Sequence, residues 1–145
     1  FEVFMVNKIW LGGIFLKNEG GYEIVLKSLS HYKKRLQTIG NSPELKEAAA
    51  MFAPVLQQQA AKTIPKIDET VSKIQNFLSD EMPVGSLADD AQFLQRALEC
   101  YQSDIEKAEN TGHEYFIKLL GDLPAAKKDT PSISQAIDKI NQFSV

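Results

Sequence analysis

Apolar positions along this chain recur at alternating steps of four and three, the spacing that brings side chains onto one face of an α-helix. The clearest run lies between residues 87 and 120. Leu87, Ala91, Leu94, Leu98, Tyr101, Ile105, Ala108, Tyr115 and Leu119 keep the alternation, with Gly112 as its gap. That is a heptad seam. Phe93, Ala97, Cys100, Phe116 and Leu120 form an adjacent stripe. A face widened in this way suits a helix that touches two neighbours.

Residues 43–79 repeat the pattern from Leu45 to Leu78, except for consecutive steps of four between Phe52 and Ile64. Such a stutter locally unwinds a supercoil. Pro54 and Pro65 bracket the stretch, and each removes a helical hydrogen-bond donor, so a kink or short break is expected there. Near the C-terminus, Ile133, Ile137, Ile140 and Phe143 mark a short amphipathic helix. Three interruptions separate these segments: Gly40-Asn41-Ser42-Pro43, the Pro83–Gly85 region, and Gly121 to Thr130-Pro131. Each combines helix-stopping and helix-starting residues.

The N-terminal forty residues offer two readings, because Gly12-Gly13 and Gly20-Gly21 fall inside apolar sequence. Gly12-Gly13 as a hairpin turn would pair Trp10 with Phe15 and Leu11 with Ile14. It would also oppose Lys8 and Lys17, and an isolated hairpin is marginal. The seam of Tyr22, Val25, Leu29, Tyr32, Leu36 and Ile39, run backwards, lands on Asn18, Phe15, Leu11, Lys8, Phe4 and Phe1. Ten of these twelve positions are apolar. The phase favours a helix over residues 3–17, although each interior glycine costs about 1 kcal/mol relative to alanine.

The expectation is therefore an all-α fold. It has three long antiparallel helices, the first and second kinked or broken, and a short C-terminal helix. This is a four- to five-helix bundle occupying residues 1–145 as one domain. A chain that is 43% hydrophobic and 24% charged is too apolar for disorder. Its net charge of −3 carries no polyanion signature, which argues against nucleic acid. The run Ile9–Leu16 is far too short to span a bilayer. A single cysteine, Cys100, rules out an internal disulfide framework and slightly favours the cytoplasm. The first residue is Phe1 rather than methionine, which leaves room for an upstream segment or a native start at Met5.

Candidate chemistry is sparse. A di-metal carboxylate oxidase needs Glu-x-x-His on each of two helices. Glu106, Glu109 and His113 miss that spacing, and Ser28 stands three residues before His31. That reading requires His31 and His113 to meet inside the bundle. Cys100 reads as a small buried hydrophobe. The Lys33-Lys34-Arg35 run reads as a solvated face. No cofactor is implied. By contrast, eleven of the first sixteen residues are apolar, more than one helix face can hold. The leading expectation is a non-enzymatic interaction module, a homo-oligomer or a binder of a protein partner. It would dock through an apolar N-terminal helix with Phe4, Trp10, Leu11 and Phe15 as anchors. The alternative is a bundle that holds a lipid or small apolar ligand between its helices, in space left by the Pro54–Pro65 irregularity and Gly112.

Overall fold

Helix dominates the described residues, which are 10–11, 14–15, 21–39, 43, 52–78 and 90–144 of this computed structural model. Among them, six helices pack together: α1 (Gly21–Gln37), α2 (Ala53–Leu78), α3 (Ala91–Thr111), α4 (Glu114–Leu120), α5 (Leu123–Lys128) and α6 (Thr130–Ser144). Two short strands precede them, β1 (Trp10–Leu11) and β2 (Ile14–Phe15).

The core forms where the seams meet. Ala91, Leu94, Leu98, Tyr101, Ile105 and Ala108 of α3 are buried, as are Tyr22, Val25 and Leu29 of α1. Ala60, Ile67 and Ile74 of α2 and Ile133, Ala136 and Ile140 of α6 close the same cluster or border it. The helix α3 touches both α1 and α6, and α1 also packs on α2. Polar pairs tie these helices further: Lys33 to Asp68 at 2.7 Å, Lys73 to Asp90 at 2.9 Å, and Gln102 to Ser134 at 2.8 Å. No described helix is long and apolar enough to cross a membrane.

The N-terminal helix expected over residues 3–17 is not what forms at Trp10–Leu11 and Ile14–Phe15, the residues of that segment that are described. The backbones of β1 and β2 pair antiparallel in the register Trp10 with Phe15 and Leu11 with Ile14. That is the hairpin register, with Gly12 and Gly13 between the paired positions. Two physical terms explain the outcome. Glycines weaken a helix interior yet suit a two-residue hairpin connection. In addition β2 lies beside α6, so the ladder has the packing support whose lack argued against it. Phe4 lies outside the described residues.

The expected continuous helix over residues 87–120 is also divided. Gly112 takes a left-handed conformation, with φ +64°, and its N–H donates to the Ala108 carbonyl at 3.0 Å. This is the glycine helix stop, placed at the one gap in the seam. His113 then caps α4, its Nδ1 accepting the Tyr115 N–H at 3.1 Å. Gly121 ends α4, and Asp122 caps the unanticipated α5 by accepting the Ala125 N–H at 3.1 Å. Thr130-Pro131 opens α6 as the sequence signals. The helix α2, in contrast, runs unbroken through Pro65. Pro54 stands in its first turn, where a missing N–H is harmless.

Candidate functional site

A second stripe runs beside each seam, and the site grows from these. On α1 it is Ile24, Ser28, His31 and Arg35, all buried. On α3 it is Phe93, Ala97, Cys100 and Asp104, buried except for the half-buried Cys100. Each stripe begins apolar and ends ionisable, and the two ionisable ends meet.

Asp104 is the centre, with 1% of its surface exposed. Its Oδ2 lies 2.8 Å from His31 Nε2, 3.6 Å from Arg35 Nε and 3.8 Å from Cys100 Sγ, which donates to it. Burying a carboxylate is costly without partners, and two potential cations and a thiol supply them here. The Arg35 guanidinium is held from the other side as well. It lies over the rings of Tyr115 and Phe116, 5.5 and 5.4 Å from their centroids, a cation–π arrangement. Those rings belong to α4, so the turn at Gly112 is what brings them over Arg35. The Tyr115 hydroxyl in turn bonds Thr38 Oγ1 at 2.8 Å, fixing α4 to the end of α1.

The cluster continues through His31, whose ring lies 5.0 Å from that of Tyr101. The Tyr101 hydroxyl donates to Asp129 Oδ2 at 2.9 Å, and Lys27 pairs with the same carboxylate. Burial, reinforced by Asp129, pushes the Tyr101 phenol above its ordinary range. Burial also pushes the Cys100 thiol up to about 12, and the Asp104 charge adds to the shift. A thiol so held is protonated at neutral pH and a poor nucleophile. Every buried side-chain nitrogen and oxygen among the described residues has a hydrogen-bond partner.

The expected candidates separate. His31 and His113 do not meet: His31 is buried against Asp104, while His113 is exposed at the start of α4. Glu106 and Glu109 are exposed, and Glu109 pairs with Lys127 at 2.8 Å. The di-metal arrangement built on both histidines is therefore not assembled. Within the basic run, Lys33 and Lys34 reach the surface but Arg35 is 8% exposed, which corrects the reading of that run as a solvated face. Trp10, Leu11 and Phe15 fall on the β ladder rather than on a helix.

Two kinds of surface hollow flank this core. Between α1 and α2, two open hollows of about 380 and 340 Å³ share Leu36, Ile39 and Ala60. Leu56 and Arg96 line the first and Ile64 the second, and among the described residues no acidic one lines either. Phe52 and Val55, at the start of α2, are 55% and 52% exposed. A second cleft of about 440 Å³ lies between α1 and α4, lined by Lys34, Gln37, Thr38, Tyr115, Lys118 and Leu119.

In class, then, the described chain is an all-α protein with a satisfied ionic cluster between α1 and α3 and a trench of mixed apolar and polar lining between α1 and α2. No known protein family, curated protein or solved structure matches it.

Proposed function

We propose that this chain is a non-enzymatic interaction module, one antiparallel helical domain that receives an acidic amphipathic helix of a protein partner. The observation that carries the reading is the trench between α1 and α2. Phe52, immediately before α2, stands four residues ahead of Leu56 and eight ahead of Ala60, and its carbonyl accepts the Leu56 N–H, so the exposed Phe52 extends the stripe that lines the hollows. Large exposed apolar side chains beside an apolar groove are the usual mark of a docking surface. Charge selects the occupant. Lys62 and Arg96 stand at the first hollow and, among the described residues, no carboxylate does, so acidic flanks on the incoming helix are favoured. This moves the working surface away from the N-terminal segment that was to present Phe4, Trp10, Leu11 and Phe15 from a helix, because Trp10, Leu11 and Phe15 stand on the ladder.

The antiparallel arrangement is supported by side-chain meetings along α1 and α2. Lys33 reaches Asp68, whereas Leu36 and Ile39 share hollows with Leu56 and Ala60. Later residues of one helix thus meet earlier residues of the other.

The test is a fluorescence-anisotropy titration with two designed amphipathic helices, leucine on one face and either glutamate or lysine on the other. The glutamate peptide binds, and Phe52→Ser weakens it at least about tenfold, in keeping with loss of an aromatic anchor. Lys62→Glu with Arg96→Glu reverses the preference. Equal binding of both peptides, or of neither, overturns the reading. An integral dimer mass by native mass spectrometry would assign the trench to a second copy instead. The apolar-ligand alternative rests on the α1–α4 cleft, and a bound lipid would appear there as a few hundred daltons of added mass, roughly the size such clefts accept.

A further inference from the structure

We propose that His31, Cys100 and Asp104 form a site for one divalent transition-metal ion of the zinc class. The three offer one donor atom each, an imidazole nitrogen, a sulfur and a carboxylate oxygen, and all three atoms lie within 4.8 Å of one another. Cys100 and Asp104 are four residues apart on α3, the spacing that stacks two side chains on one helix face. His31 faces them from α1. This mixture of nitrogen, sulfur and oxygen donors is the set that Zn²⁺ accepts, and tetrahedral geometry is its habit.

Two of the three donor separations lie close to what such an ion needs, and the third, imidazole to sulfur, lies within 4.8 Å. Metal–ligand bonds of about 2.0–2.3 Å place tetrahedral donors about 3.3–3.5 Å apart. The sulfur–carboxylate separation is 3.8 Å and the imidazole–carboxylate separation 2.8 Å. On that geometry the first closes by about 0.3–0.5 Å and the second opens by about 0.5–0.7 Å, while the imidazole–sulfur pair must reach about 3.5 Å. An ion entering between them takes the place of the Cys100 thiol hydrogen, which leaves to solvent as a proton, and of the His31–Asp104 hydrogen bond. Arg35 need not leave, because its charge also rests on the Tyr115 and Phe116 rings. His31, with Ser30, Lys34, Tyr101 and Leu119, lines a surface cleft of about 220 Å³ that Cys100 and Asp104 do not line, so an ion and its water reach the donors past the His31 ring.

The experiment is a titration of the chelator-stripped full chain with Co²⁺, a coloured substitute for Zn²⁺. Cys100 is the single cysteine, so a thiolate-to-cobalt charge-transfer band reports on this site alone. The band saturates at one equivalent, and added Zn²⁺ abolishes it. In His31→Gln, shown by circular dichroism to be folded, cobalt affinity falls at least about tenfold. Should that variant not fold, X-ray absorption at the zinc edge of the loaded wild-type chain decides, with one sulfur and at least one imidazole in the first shell. Absence of the band in folded wild type, an undiminished band in folded His31→Gln, or a zinc shell without sulfur overturns the site.

Discussion

Asp104 stands on α3 one position before the seam residue Ile105, and nothing in its own neighbourhood of sequence says that a carboxylate there is 1% exposed. The signal that existed was periodic. Extending Phe93, Ala97 and Cys100 by four lands on Asp104, and extending Ile24, Ser28 and His31 by four lands on Arg35. Two stripes each ending in an ionisable residue were thus legible; that they end against each other was not, because stripe position says nothing about which helices become neighbours. Removing the carboxylate takes from His31 and Arg35 the buried acceptor they share. Asp104→Ala is expected to cost about 3–5 kcal/mol, the usual penalty for breaking a buried pair from one side, as measured by urea unfolding. The pH dependence has a definite sign. Cys100, Tyr101 and Tyr32 are all held above their ordinary pKa values, chiefly by burial. The fold therefore favours their neutral forms: the Cys100 contribution is intact below the ordinary thiol value of 9.0 and lost as pH climbs towards about 12, and the tyrosine contributions begin to fade only above their ordinary 10.0. In the presence of chelator, melting temperature should fall over this alkaline window, and Cys100→Ala should remove the earliest part of the fall.

At the scale of elements, the sequence was most informative where period and punctuation agreed. The stops at Gly121 and Thr130-Pro131 came out as read, and the buried faces of α1 and α3 follow the seams. It misled where an apolar run tolerates two periods. Trp10, Leu11, Ile14 and Phe15 satisfy a helical phase, yet their backbones pair as strands, because support from α6 is invisible to a local pattern. Gly112 was legible as a gap but not as a corner. With φ at +64° and open space around the position of a Cβ, the strain of Gly112→Ala is purely conformational. A loss of about 1–2 kcal/mol is expected, read as a lower urea midpoint with unchanged slope. Pro65 lies inside an unbroken α2, so Pro65→Ala should stabilise, by up to about 3 kcal/mol. An unchanged or lowered midpoint would mean that this proline relieves a packing conflict.

For the whole molecule, the ionic cluster and the trench divide the work. The cluster joins α1 and α3, and Tyr115 and Phe116 add α4 to it. That arrangement fixes the position of α1, one wall of the trench, while α2 supplies the other with Leu56 and Ala60. Recognition of an acidic amphipathic helix at that trench is the central claim, and amide-resolved NMR of the labelled chain tests it most directly. Adding the designed glutamate peptide should shift the amides of Leu36, Ile39 and Phe52 to Ile64 and leave those of Trp10, Leu11 and Phe15 in place. Shifts centred instead on Trp10 to Phe15, or on Tyr115 to Leu119, would contradict it.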